Sequence, residues 1–426
     1  MSALRRRFGS RPLLCLLSLL GFLCFPTHRQ APGQEPALLR FAVIGDSGTG
    51  DAHQYRIAQQ MLAWHDRLPY EVVLMLGDNI YGGLFGLGGG NKKDFEKKFD
   101  QPYAGLRARG VVFRAALGNH DMRHREGGDL IDAYDRFHIE GEQGYYSFTA
   151  GEWHPAAQAG AEHLFRTEKD SASPEQEAAP LVEFFVINTV RLEKNKQDPE
   201  QLAWLERALA ASRARWRIVY GHHPLYSTGR RHASDVGLRQ KLEPLLLVPY
   251  ASRSSSPVAL LSRRSGAETP SLSRGAKSRD ATGSGAGRAA EASRRAGSGL
   301  GVEGRGAGPR AQVVLAGHDH FYQRFHPQKG ISYFVCGGSG KLRRGNARPR
   351  PLVAAIEDQQ RAFMLWEATP DALRFRAINE QGEAFDCGII PATGQPQSVA
   401  CANLASPAAG SDAARPAAPA APPGNP

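Results

Sequence analysis

The chain has 426 residues and 41% apolar content, enough for one large or two average domains with a sizeable core, which excludes a wholly unfolded protein. Its net charge of +11 resides in two segments, a net +4 over residues 1–36 and a net +7 over residues 251–310. The remainder is formally neutral and makes no electrostatic case for a specific nucleic-acid partner.

At the start, Arg5, Arg6, Arg7 and Arg11 precede an apolar run over residues 12–25. This charged-then-apolar order predicts an export signal, and the run is shorter than the roughly 20 residues that span a bilayer. Arg5-Arg6-Arg7-Phe8 also fits a twin-arginine signal. The expectation is a signal peptide and short linker over 1–36 and an exported protein, periplasmic, extracellular or otherwise in the secretory route. In that oxidising setting Cys387 and Cys401 can close a short C-terminal loop, whereas Cys336, in an apolar run, reads as a buried thiol.

From residue 38 onward, short apolar β-type runs each end in glycine plus a polar residue. They cover 38–44, 72–76, 111–117, 184–187, 217–220 and 312–316. Continuous apolar strands are those buried on both faces. Between them lie helical segments. In residues 52–67, Ile57, Met61 and Trp64 share one face. The segment from Asp198 opens Asp-Pro-Glu-Gln, an N-cap followed by proline at the first helical position, and then sets Leu202, Leu205 and Leu209 on one side. Helices alternating with buried strands predict an α/β fold.

Residues 251–310 break the pattern: Ser, Gly, Ala and Arg fill 44 of the 60 positions and no Phe, Tyr or Trp occurs, so the segment cannot bury enough apolar area to offset its chain entropy. A disordered basic insertion is predicted there, with at most weak polyanion contact, and a disordered Ala/Pro-rich tail over 403–426. The folded domain is then expected over 37–250 and 311–395. After residue 331 only strands are expected, at 331–335, 362–366 and 373–378; the last two, joined across Thr369-Pro370-Asp371, predict an antiparallel hairpin covering one edge of the core.

Five short motifs stand at strand ends: GDSG at 45–48, GDNIY at 77–81, GNHD at 118–121, GHHP at 221–224 and GHDH at 317–320. Each alone fits an ordinary turn. Groups just beyond the C-terminal ends of neighbouring strands in an α/β sheet converge in one crevice, so Asp46, Asp78, Tyr81, Asn119, His222, His318 and His320 can meet. Two carboxylates, three imidazoles, a phenol and a carboxamide, without thiolates, suit Fe, Mn or Zn, and seven ligands with one bridging carboxylate can hold two metals.

The motif order resembles that of calcineurin-like metallophosphoesterases and, more closely, the purple acid phosphatases of the tartrate-resistant type. The wider family usually has a histidine two residues after its first Asp; this chain has Gly48 there and supplies Tyr81 instead. The resemblance covers about residues 38–250 and 311–390. It implies a four-layer α/β/β/α sandwich with metal ligands at the C-terminal ends of strands. Asp46, Tyr81 and His320 would hold Fe(III), Asn119, His222 and His318 a divalent Fe, Zn or Mn, and Asp78 would bridge. Two ions roughly 3.5–4 Å apart can clamp a phosphate and acidify a water, so the implied reaction is hydrolysis of small phosphomonoesters by in-line attack of a metal-bound hydroxide. His120 and His232 are the expected substrate-side catalytic groups, the latter offset by one position from the family's histidine; His223 is expected to be an orienting or rim group and Asp121 to support the ligands. The alternatives are a phosphodiesterase of the same superfamily and a non-catalytic polyanion-binding surface protein. Substrate, divalent ion and oligomeric state have no signature in the sequence.

Overall fold

A computed structural model describes residues 37–82, 92–124, 137–140, 143–153, 178–247 and 309–404, all within the unit Pro36–Pro426. The predicted signal peptide, the insertion up to residue 308 and the tail beyond residue 404 lie outside the described residues.

Among the described residues fourteen strands form two seven-stranded sheets. In the first, β1 (Leu39–Ile44), β2 (Val72–Met75) and β3 (Val112–Ala115) run parallel, with Phe41 opposite Val72 and Val72 opposite Val112. On the other side of β1, antiparallel pairing adds β11 (Ala362–Ala368), β12 (Ala372–Asn379), β13 (Ala384–Pro391) and β14 (Gln397–Val399). The β11–β12 hairpin forms as expected, but it does not cover an edge. β11 is the direct partner of β1 in the middle of the sheet and is buried along its whole length, because Phe363, Leu365 and Trp366 all have apolar neighbours to fill.

The second sheet has the order β10-β8-β9-β7-β6-β5-β4. Its strands are β4 (Tyr146–Trp153), β5 (Ala179–Val186), β6 (Trp216–Gly221), β7 (Val313–Ala316), β8 (Tyr322–Phe325), β9 (Ser332–Cys336) and β10 (Val353–Glu357). Period-two alternation divides its side chains. Phe184, Ile218, Tyr220, Val313, Leu315 and Phe334 face the first sheet, whereas Phe185, Val219, Val314 and Val335 belong to a second apolar cluster on the other face. That face is covered by α4 (Pro199–Ala211) and α5 (Val236–Leu247), through Leu205, Leu209, Leu238 and Leu242. The first sheet carries α1 (Ala52–Arg67), whose Ile57, Ala58 and Met61 join the main core. Short helices α2 (Lys92–Phe95) and α3 (Ala104–Arg107) lie beside it. The layering is α/β/β/α.

Local signals set the helix starts. Asp51 accepts from the backbone N–H groups of His53 and Gln54, and Asp198 accepts from Gln201 with Pro199 at the first helical position. Each such cap contributes about 1 kcal/mol. Two further features tie the C-terminal strands together. Cys387 and Cys401 are disulfide-bonded, while Cys336 is a buried free thiol. Glu367, fully buried, accepts from Arg40 at 2.9 Å and from Arg376 at 2.6 Å, and Arg376 also donates to the Leu404 carbonyl. Of the expected tail, Asn403 ends a short helical turn at Cys401–Asn403 and Leu404 is buried. At the insertion, the Arg310 N–H donates to the Leu246 carbonyl at 2.8 Å, so the described chain leaves and re-enters at adjacent points.

Candidate metal centre

All seven residues expected as ligands come together where the parallel strands of both sheets end. Asp46 follows β1, Asp78 and Tyr81 follow β2, Asn119 follows β3, His222 follows β6, and His318 and His320 follow β7. Asp46, Asp78 and His318 have φ of 52°, 50° and 70°, a left-handed backbone that non-glycine residues avoid. Such strain costs on the order of 1 kcal/mol or more per residue and persists where surroundings impose it, commonly at functional sites.

One half of the cluster is oxygen-rich. The Tyr81 hydroxyl donates to Asp46 Oδ1 at 2.9 Å, with Asp78 Oδ2 at 3.1 Å and His320 Nε2 at 3.5 Å. Burial and the two carboxylates raise the Tyr81 pKa well above the usual phenol value, so without a nearby cation the phenol keeps its proton. Lys341 Nζ lies 4.7 Å from the centre of the Tyr81 ring.

The other half is nitrogen-rich. His222 Nδ1 is 2.9 Å from the Leu76 carbonyl oxygen, which can only accept, so Nδ1 carries the proton. Nε2 then turns its lone pair toward Asn119 Oδ1 at 3.1 Å, His318 Nδ1 at 3.1 Å and Asp78 Oδ1 at 3.5 Å. Several electron-pair donors thus converge with too few protons between them, the arrangement a metal ion resolves. Burial opposes charge on His222, but Asp78 and Asp46 outweigh it and raise its pKa; a metal would compete with that added proton. The donor set therefore fits a dinuclear centre in which Asp78, with one oxygen toward each half, stands between them.

Backbone packing holds this geometry. A Cβ at Gly118 would lie 2.1 Å from the Asp78 nitrogen and 2.2 Å from its Oδ1. A Cβ at Gly48 would lie 1.8 Å from the Asn79 carbonyl oxygen, and Gly48 accepts a bond from the Tyr81 N–H. The Asp78–Tyr81 turn thus fills the space a side chain at 48 would need. Asp121 accepts from the backbone N–H groups of Asn79, Ile80 and Gly118, which clamps the turns carrying Asp78 and Asn119. Burial and Asp78 push its pKa up to about 7.

The other histidines sort differently. The His120 backbone N–H donates to Asp78 Oδ1 at 2.8 Å, and its ring lies 4.7 Å from that of Tyr81. His232 stacks near His318, with ring centres 4.2 Å apart, and takes a hydrogen bond from Arg343 Nη1 at 3.2 Å. His223 is buried but lines the cleft beside His318. Thr189 Oγ1 accepts from the His222 and His223 N–H groups, so its own proton goes to His223 Nδ1, while Nε2 faces Glu193 at 3.4 Å. Beside His223 and His318 an open cleft of about 620 Å³ is lined by Asn119, Glu193, Arg231, His232 and Asp235.

Motif reading passed over Glu193, Arg343 and Lys98, whose Nζ donates to the Tyr81 carbonyl and to Asp94. None sits in a glycine-flanked motif. For Arg343 the available signal was the cationic run 341–350, which contains no acid.

The fold and the donor set together fit a site able to hold two metal ions. The calcineurin-like phosphoesterase family profile matches residues 39–251, half of the chain, and the chain belongs to that family. Members of this family use a dimetal centre, and candidate ligand groups for one are present here. Within the family, the chain is 27% identical over 237 residues to tartrate-resistant acid phosphatase type 5 of Homo sapiens, covering 51% of this chain and 65% of the relative. It thus spans less than two thirds of that relative's length. Among solved structures, a purple acid phosphatase from yellow lupin aligns over 84% of this chain and 54% of its own, with a TM-score of 0.52 and 15% identity. Plasmodium GAP50, described as the anchor in the inner membrane complex, covers 84% and 90% with a TM-score of 0.55 and 14% identity. These two structural likenesses bear on the fold alone.

Proposed function

We propose that this protein is an exported, metal-dependent acid phosphatase that hydrolyses phosphomonoesters at an Fe(III)–divalent centre. The observation that carries the reading is the Tyr81 hydroxyl buried between Asp46 and Asp78, over a glycine at position 48 whose space the tyrosine turn fills. Asp46, Tyr81 and His320 would hold the ferric ion, Asn119, His222 and His318 the divalent ion of Fe, Zn or Mn, and Asp78 would bridge. Bound there, the pair supplies Lewis acidity for a water and for the phosphate oxygens.

The chain's own groups supply position and protons. Hydrolysis joins a water oxygen to phosphorus as the ester P–O bond breaks, and the leaving oxygen needs a proton. His120, beside Asp78 and half-buried at the site, is placed to give that proton or to hold a phosphate oxygen. His232, exposed beside His318, borders the cleft that would receive the leaving group. The disulfide supports an oxidising destination.

Metal analysis of the protein as isolated, with a visible spectrum, tests the centre. An iron–tyrosinate absorbs at roughly 500–600 nm, and Tyr81→Phe should abolish that band while metal stays bound, since the charge transfer belongs to the phenolate ligand. Iron present with an unchanged spectrum in the variant would overturn the assignment. Parallel turnover of nitrophenyl mono- and diesters separates the monoester reading from a phosphodiesterase; a clear diester preference rejects it.

A further inference from the structure

Outside residues 1–36 and 251–310 the chain is formally neutral, yet its cations are not evenly spread. The loop joining β9 to β10 contains no acid and carries Lys341, Arg343, Arg344, Arg348 and Arg350. Backbone bonds fasten it to the candidate metal centre: the Lys341 N–H donates to the Asp46 carbonyl at 3.0 Å and the Arg343 N–H to the His320 carbonyl at 2.9 Å. Opposite stands the loop after His222, with Arg230 and Arg231. The two loops are joined by Arg230 N–H to the Asn346 carbonyl at 2.8 Å and Thr228 Oγ1 to the Arg348 carbonyl at 2.6 Å.

These ties fix two cations at the mouth of the site. Lys341 lies over the Tyr81 ring, and Arg343 reaches His232, whose ring lies against His318. Arg344, Arg348 and Arg350 are exposed and need no explanation beyond solvation. Arg343 differs. It is partly buried, and among the described residues its only side-chain hydrogen-bond partner is a histidine and no carboxylate pairs with Arg343, Arg231 or Lys341. Burial and the neighbouring Arg231 work against its charge and outweigh the favourable fields of Asp319 and Asp46. By contrast the nearby acids are engaged: Glu193 pairs with Lys196, and Asp235 accepts from the Lys194 and Leu238 N–H groups. The partly buried Arg343 guanidinium is repelled by that of exposed Arg231, and an anion between them relieves that repulsion. The planar donor fork of arginine matches a carboxylate or phosphate.

We propose that Arg343, with Arg231 and Lys341, forms an anion subsite beside the metal-ligand cluster, and that the preferred substrates are phosphate esters whose leaving group itself carries a negative charge. The proposal rests on the reading of the site as a phosphoesterase.

The test uses the full-length, metal-loaded protein and a matched pair, 3-carboxyphenyl phosphate and its neutral carboxamide. Wild type should favour the carboxylate in kcat/KM by about fivefold at low salt, the scale of one partly exposed ion pair, and lose that preference in high salt. Arg343→Gln should bring the ratio near one, and Arg343→Lys should keep part of it; a role limited to holding His232 would change kcat without changing the ratio. Calorimetric titration with 3-carboxyphenylphosphonate and its carboxamide, neither of which is hydrolysed, should give the same ordering of affinities. If either variant fails to fold, the wild-type ratio and its salt dependence still decide. Esters turned over without discrimination, and phosphonates bound equally, would refute the subsite while leaving hydrolysis standing. Discriminating phosphonate binding without any ester turnover would refute the hydrolytic reading and leave the subsite.

Discussion

Gly48 and Asn79 touch so closely that any side chain at 48 would meet the Asn79 carbonyl, 1.8 Å from where its Cβ would stand. The histidine usual in the wider family at this position therefore cannot simply be restored. Gly48→His is expected to displace the Asn79–Tyr81 turn rather than to add a ligand. The expected cost is about 1–3 kcal/mol of stability from overpacking. Denaturant unfolding would read the stability cost, and iron content per chain the displaced turn. A variant as stable as wild type, with full iron, would show that the turn has room to move.

Glu367 makes stability depend on acid. Burial alone would raise its pKa, but the hydrogen bonds from Arg376 and Arg40 outweigh burial and hold it below its ordinary value of 4.5. The folded form thus binds a proton less readily than the unfolded one. The stabilisation is fully present above about pH 4.5 and is lost as pH falls through the depressed folded value. Glu367→Gln should flatten that part of a stability–pH curve. Glu367→Ala, which strands two arginines, should cost about 3–5 kcal/mol at neutral pH. An acid limb of the same slope in wild type and Glu367→Gln would rule this pair out as its source.

Much of this architecture was readable in advance, and the reasons are particular. Helix α1 and the start of α4 announced themselves because Asp51 and Asp198 cap them and their apolar residues keep one face. The ligand turns were readable because glycine next to an acid or imidazole recurs at strand ends. Helix α5 was not, since Pro244 stands inside it, although Asp235 marks its start by accepting from the Leu238 N–H. The place of β11 was hidden for another reason: the apolar run over 362–366 states that it is buried, not which strand it pairs with, and its partner β1 lies more than 300 residues earlier. Arg343 was invisible because charge summed over a domain erases local arrangement.

The disulfide between Cys387 and Cys401 closes a loop with a sequence separation of 14, anchoring β13 to the segment that ends at Leu404. Replacing both cysteines by serine should lower stability by about 3 kcal/mol on loop-closure grounds. Metal content and turnover should be unaffected below the unfolding transition, because the bridge joins β13 to the turn after β14 and neither carries any of the seven candidate ligands. Loss of metal in the folded double variant would contradict that separation.

The described chain stops at Leu247 and resumes at residue 309 at neighbouring points, since the Arg310 N–H donates to the Leu246 carbonyl; residues 251–308 lie in between. Deleting them and joining the ends through a short glycine–serine linker should preserve turnover of a small phosphomonoester to within a few-fold, because shortening a loop changes closure entropy by only about 0.6 kcal/mol per halving. Metal binding should likewise be retained. An inactive, folded deletion variant would assign the segment a part in the site.

His318 and His320 lie on the far side of that segment, while Asp46, Asp78, Tyr81, Asn119 and His222 precede it. During synthesis a ribosome-bound chain that has already made the first five groups still lacks two imidazoles, and β7 has yet to slot between β6 and β9. The full set of seven candidate ligands therefore exists only late in synthesis. A nascent chain truncated before residue 313 should bind metal far more weakly than the finished one, so the interval in which the wrong ion can be trapped falls after most of the domain has been made.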